Sequence, residues 1–127
     1  MDYFASNSML LMEKSMKFLW TKQAAISDNI ANAETPNYKA KLVTFEEDLR
    51  ARLEQARHSN TPRTSMREVL NESEFAVIET AESTRMDDNG VNTTEQMVEL
   101  VRNAYQLQYV MNAISTDLNT LRTAIKG

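Results

Sequence analysis

His58 is the one imidazole in this chain of 127 residues, and it lies in a polar run, Arg57-His58-Ser59-Asn60. Nucleophile–base chemistry of the Ser-His kind has to pass through it, yet nothing in that run can orient the ring. His58 therefore reads as an ordinary solvated histidine. The chain has no cysteine, which removes thiol nucleophiles, disulfides and cysteine metal sites together. Two glycines, of which only Gly90 is internal, leave no room for a phosphate-cradling loop, and no HExxH pattern occurs. These residues predict a protein that is not an enzyme and carries no cofactor or metal.

The elements that the chain can build follow from the same scarcity. A compact β fold needs glycine or proline at many turns, and two of each cannot supply them. The expected class is mainly α, with long helices joined by few turns. A net charge of −4 argues against a nucleic-acid partner, and no small-molecule substrate is suggested. Charged residues interrupt the apolar clusters Met9-Leu10-Leu11-Met12 and Phe18-Leu19-Trp20, so no spanning helix is expected. A basic region followed by an apolar core and a cleavage site is also missing. Any export would need a route other than a cleaved signal peptide.

Residues 93–127 carry the clearest pattern. Met97, Leu100, Ala104, Leu107, Met111, Ile114, Leu118, Leu121 and Ile125 alternate at spacings of three and four, an unbroken apolar heptad seam. Thr93 with Gln96 reads as a capping box. The spacing predicts a helix from about Thr94 to Lys126, roughly 50 Å long. In residues 1–36 Met9, Met12, Met16, Leu19, Gln23, Ile26 and Ile30 repeat the spacing, with Gln23 as the one polar position. That predicts a second helix from near Ser8 to near Ala33, closed off by Pro36. Both helices carry apolar flanks beside the seam, among them Phe18, Trp20, Val98, Val101, Tyr105 and Tyr109. A helix pair alone leaves those flanks in water, so either the middle of the chain or neighbouring subunits cover them. The middle is poor in covering material, which favours neighbours.

Residues 37–92 form a different middle segment. Thr44 and Glu47 suggest another capping box, opening a short helix over about 44–56 with Phe45, Leu49 and Leu53 on one face. Residues 58–92 read as flexible, with ten apolar residues in thirty-five. Phe75-Ala76-Val77-Ile78 is a possible short strand, and Asp87-Asp88-Asn89-Gly90 a turn. Residues 39–67 hold seven basic and four acidic side chains, and 68–99 one basic and nine acidic. The two blocks either pair within the chain or complement each other between copies.

The first helix leads into Asn29-Ile30-Ala31-Asn32-Ala33-Glu34-Thr35-Pro36-Asn37-Tyr38-Lys39. Asn29 and Asn32 share a helix side near its end, where their amides can bond unpaired carbonyls. Thr35-Pro36-Asn37-Tyr38 then makes a stiff turn that frees Tyr38 to anchor it. The stretch resembles the signature of the bacterial flagellar basal-body rod protein family, an Asn-Ile-Ala-Asn-Ala core leading to Thr-Pro-Gly-Tyr-Lys. Asn29, Ile30, Ala31, Asn32, Ala33, Thr35, Pro36, Tyr38 and Lys39 match it. Asn37 stands for the usual glycine, a mild change because asparagine tolerates left-handed backbone. Within the family the short length and the approach Asp88-Asn89-Gly90-Val91-Asn92 to Gln96-Met97 are most similar to the proximal rod proteins, with Asn92 and Gln96 replacing acidic residues.

The resemblance implies a structural subunit of the periplasmic rod, polymerising into the drive shaft that transmits torque for motility. Its terminal helices are expected to pair as an antiparallel coiled coil. Met12, Met16, Leu19, Ile26 and Ile30 on one side, and Leu100, Leu107, Met111, Ile114, Leu118 and Leu121 on the other, would hold it. Implied partners are the chain itself, other rod subunits, the hook-basal-body adaptor, the inner-membrane ring and the flagellar export gate. Type III export would place it in the basal body without a cleaved signal. The alternative from the residues alone is a soluble helical chaperone or adaptor of a type III secretion system, offering a helix groove.

Overall fold

The computed structural model describes residues 6–44, 46–73, 76–79 and 91–127. Two long helices frame it: α1, Asn7–Ala31, and α4, Thr93–Lys126. Between them lie β1 (Lys41–Thr44), α2 (Glu46–Arg57), α3 (Pro62–Glu72) and β2 (Ala76–Glu79). Ser6 opens α1 by accepting the Met9 amide on its hydroxyl, satisfying one orphan donor of the first turn. At α4 that cap is Asn92, whose Oδ1 accepts from the Glu95 amide at 3.2 Å. Thr93, the expected cap, is already inside the helix, and Gln96 turns its side chain to α1 instead.

The long helices pack together antiparallel. Asn29 meets Gln96, Gln23 meets Asn103 and Lys22 meets Glu99, so one numbering falls as the other rises. At 1.5 Å per residue they are about 37 and 51 Å long. Their shared core joins Phe18, Leu19 and Ala25 of α1 to Leu107 of α4, with Val43, Leu49 and Leu70 packed from the middle of the chain. A smaller cluster of Ala33, Ala40 and Val91, with Tyr38 against it, ties the start of α4 to the chain leaving α1.

The seam on α4 differs from the expected one. The positions turned inward are Gln96, Leu100, Asn103, Leu107, Val110, Ile114, Asp117 and Leu121, all buried or half-buried. Met97, Ala104, Met111, Leu118 and Ile125 are exposed, Met111 at 48% and Leu118 at 49%. Leu100, Leu107, Ile114 and Leu121 belong to both sets. Apolar periodicity selected the alternate set one residue away, because it cannot see that Gln23 of the α1 seam and Asn29 take polar partners across the interface. On α1 the expected positions Met12, Met16, Leu19, Ile26 and Ile30 are all buried or half-buried.

The middle segment is also more structured than its composition suggests. Helix α3 occupies 62–72, inside the stretch read as flexible. Pro62 sits at its start, where a missing amide hydrogen matters least, and Met66, Val69 and Leu70 gather on one side. Leu70 is almost fully buried in the core. Ser73 ends the helix, with its hydroxyl on the Leu70 carbonyl and its own carbonyl accepting from Lys14 of α1. A low apolar average conceals three well-placed side chains. Strands β1 and β2 pair antiparallel, Leu42 opposite Ile78 and Val43 opposite Val77. Among the described residues the expected strand is β2, Ala76–Glu79. Its partner β1 was hidden by the reading of Thr44 as a helix cap; Thr44 ends β1 and α2 begins at Glu46. Phe45, Phe75 and the Asp87–Gly90 turn lie outside the described residues.

Candidate functional site

Asn29 is fully buried, and all four hydrogen-bonding positions of its amide are used. Its Nδ2 donates to the Lys41 carbonyl (2.9 Å) and to Gln96 Oε1 (2.9 Å). Its Oδ1 accepts from the Lys41 amide (2.8 Å) and from the Tyr38 hydroxyl (3.1 Å). The Lys41 backbone therefore finds both partners on one side chain, so Asn29 stands where a further strand would pair with β1. Sequence reasoning placed Asn29 as a helix-end cap. The structure makes it the bolt between α1, β1 and α4. Asn32 does take the capping role: its Nδ2 and its backbone amide both donate to the Asp28 carbonyl, at 2.8 and 3.0 Å.

The turn after it has the expected form. The Tyr38 amide donates to the Thr35 carbonyl at 3.3 Å, Pro36 occupies the second position, and Asn37 at φ 61° the third. That is the pattern of a type II turn, whose third residue must be left-handed. The Thr35 hydroxyl donates to Asn32 Oδ1 (3.1 Å) and fastens the turn to the helix end. Ala33 is buried while Ala31 and Pro36 are exposed. Beside the joint Lys41 Nζ contacts Asp28 Oδ2 at 3.0 Å, and that hydrogen bond holds the ammonium above its ordinary pKa. Burial pushes the Tyr38 phenol up as well.

The second feature is the outer side of α4. Tyr105 and Tyr109 are 70% and 76% exposed, and Met97, Val98, Val101 and Met111 are at least half-exposed or nearly so. From Asn103 to Thr116 this helix carries no charged residue on any side. A helix side that leaves several large apolar side chains in water marks an interaction surface. The middle segment covers part of the flanks: Leu49 and Leu53 of α2 face Phe18, Tyr105 and Val110 across an open apolar groove of about 520 Å³. The rest of α4 has no cover among the described residues.

His58 is exposed, with its Nε2 3.4 Å from the Glu54 carboxylate one helical turn back. Ser59 gives its hydroxyl to Ser65 Oγ. Glu54 was overlooked in the sequence, where a partner four residues away on a helix could have been anticipated.

The sequence family described as "Flagella basal body rod protein" matches residues 19–39, the span that contains the buried Asn29, the turn and Tyr38. The chain is 28% identical to "Flagellar basal body rod protein FlgB" of Bacillus subtilis (strain 168), across 91% of each chain. It is 28% identical to the protein of the same name from Aquifex aeolicus (strain VF5), across 92% of this chain and 91% of that one. Over nearly its whole length the chain is thus similar to FlgB-type flagellar rod proteins. A third FlgB, from Borrelia hermsii, is 42% identical over 39% of this chain and 37% of its own. These relatives give no support to the chaperone alternative. The matched span is thus a joint built around the buried Asn29, and Lys41 and Gln96, as its partners, complete it.

Proposed function

We propose that this FlgB-like chain is a structural subunit of the flagellar basal-body rod, stacking with copies of itself and with other rod subunits into the drive shaft. The observation that carries the reading is the outer side of α4, four helical turns without a charge and with its large apolar side chains in water. A neighbouring subunit removes that surface from water at about 25 cal/mol per Å². Met12, Met16, Leu19, Ile26 and Ile30 hold α1 against Leu100, Leu107, Ile114 and Leu121, while Met111 and Leu118 face neighbours. Asn29, Asn32, Pro36 and Tyr38 fix the angle at which the chain leaves the helix pair. At the base of a periplasmic rod the partners are the adaptor, the inner-membrane ring and the export gate that delivers the subunit. None of this work calls for catalysis.

Leu118→Asp tests the reading. The purified variant should keep its helix content, because Leu118 is half-exposed in the single chain. Cells carrying it should lack rods and be non-motile in soft agar. Normal motility would remove Leu118 and the outer side of α4 from the assembly surface.

A further inference from the structure

Helix α4 carries two overlapping heptads, and it turns the less apolar one toward α1. The inward set contains Gln96 and Asn103; the set one residue on, Met97, Ala104, Met111, Leu118 and Ile125, is entirely apolar and lies outside. Hydrophobic burial alone favours the opposite choice. We infer that Asn103, with Gln96, is a register key that selects which face of α4 meets α1 and so keeps the all-apolar heptad on the outside.

The hydrogen bonds show how the key works. Asn103 is almost fully buried, and its Nδ2 donates to the Leu19 carbonyl (3.0 Å) and to Gln23 Oε1 (2.7 Å). Its Oδ1 is buried with no partner among the described residues. An asparagine held in this way destabilises the pair relative to an apolar side chain and discriminates strongly between arrangements. Gln96 supplies the fourth bond of Asn29. Seven residues separate the two keys on α4, and six separate Gln23 from Asn29 on α1, so both polar contacts form together in this antiparallel register. Rolling α4 to its other heptad sets Ala104 against Gln23 and Met97 against Asn29. Neither can hydrogen-bond, and two buried amides lose partners. The polar pairs thus trade stability for a single arrangement.

The chain has no native cysteine, so introduced pairs report register without interference. Lys22→Cys with Glu99→Cys replaces two residues that face each other across the helices, their side-chain tips 3.6 Å apart, and reports the observed face. Met16→Cys with Met111→Cys, one heptad from the Gln23 and Ala104 positions on both helices, reports the rolled one and leaves Gln23 in place. In the full-length chain with Asn103 intact, the first pair should oxidise and the second should not. In Asn103→Leu the first yield should fall several-fold and the second pair should begin to cross-link, with melting temperature unchanged or raised. Unchanged, exclusive cross-linking of the first pair in Asn103→Leu overturns the inference. Loss of helix content in Asn103→Leu overturns it too, since an apolar residue at a seam position should not unfold a pair that Asn103 merely orients. Cross-links are read at high dilution within single chains, so the outcome does not depend on whether the chain builds a rod.

Discussion

At the scale of single residues, Asn29 carries the most structure per atom. One amide serves a strand backbone, a tyrosine and the opposite helix, and it does so without contact with solvent. Asn29→Leu keeps the volume but strands the Lys41 amide and carbonyl, the Gln96 amide and the Tyr38 hydroxyl. It should destabilise the chain by about 2–4 kcal/mol in urea unfolding, since each buried unpaired group costs about 1–3 kcal/mol and some regain water. Tyr38 and Lys41 add a pH signature. Both have pKa values raised on folding, from 10.0 and 10.5, so the folded chain holds these protons more tightly than the unfolded one. Their contribution is complete below pH 10 and is lost as pH climbs through the higher folded values. Melting temperature should therefore fall above about pH 10. Part of that fall should vanish in Tyr38→Phe; an identical alkaline slope in both chains would deny the phenol its role. Asn29 could be located in the sequence but its task could not. A helix-ending asparagine reads as a cap, and only the packing of β1, Tyr38 and α4 around it supplies its four partners.

At the scale of elements, the two long helices were legible from spacing, and their facing was not. Leu100, Leu107, Ile114 and Leu121, seven residues apart, belong to both heptads on α4, so they locate the helix without choosing its inner side. Truncation separates the two faces. Leu107→Ala, at a buried core position, should cost about 2–5 kcal/mol of unfolding free energy in the purified chain. Leu118→Ala should cost under about 1 kcal/mol, because little burial is lost and alanine favours helix. Equal losses would mean that the helix pair closes on the all-apolar heptad. Helix α3 teaches the complementary lesson: a segment with few apolar residues folds when those few share one side and a core awaits them.

At the scale of the whole molecule, the chain is saturated on one side of α4 and unfinished on the other. The middle segment folds back over Phe18 and Leu19 with α2, α3 and β1, which covers one flank internally. Arg52 of the basic block pairs with Glu72 of the acidic one at 3.1 Å, so part of the charge asymmetry is also settled within the chain. The outer side of α4 keeps its large apolar side chains in water, and it is the surface that the proposed assembly covers. That division is why Leu118→Asp is expected to fold normally as a monomer and fail in the cell. The substitution places a charge where only an assembled rod excludes water.

The sequence by itself determined the two long helices, the left-handed turn at Asn37 and the resemblance to flagellar rod proteins, because these rest on local spacing and on residue types with narrow conformational preferences. The tertiary structure alone decided which heptad of α4 faces inward, what Asn29 binds, and how the sparse middle covers α1. Those choices depend on polar groups that meet only when distant segments pack, and the hydrophobic pattern of a single helix holds no record of its partner's amides.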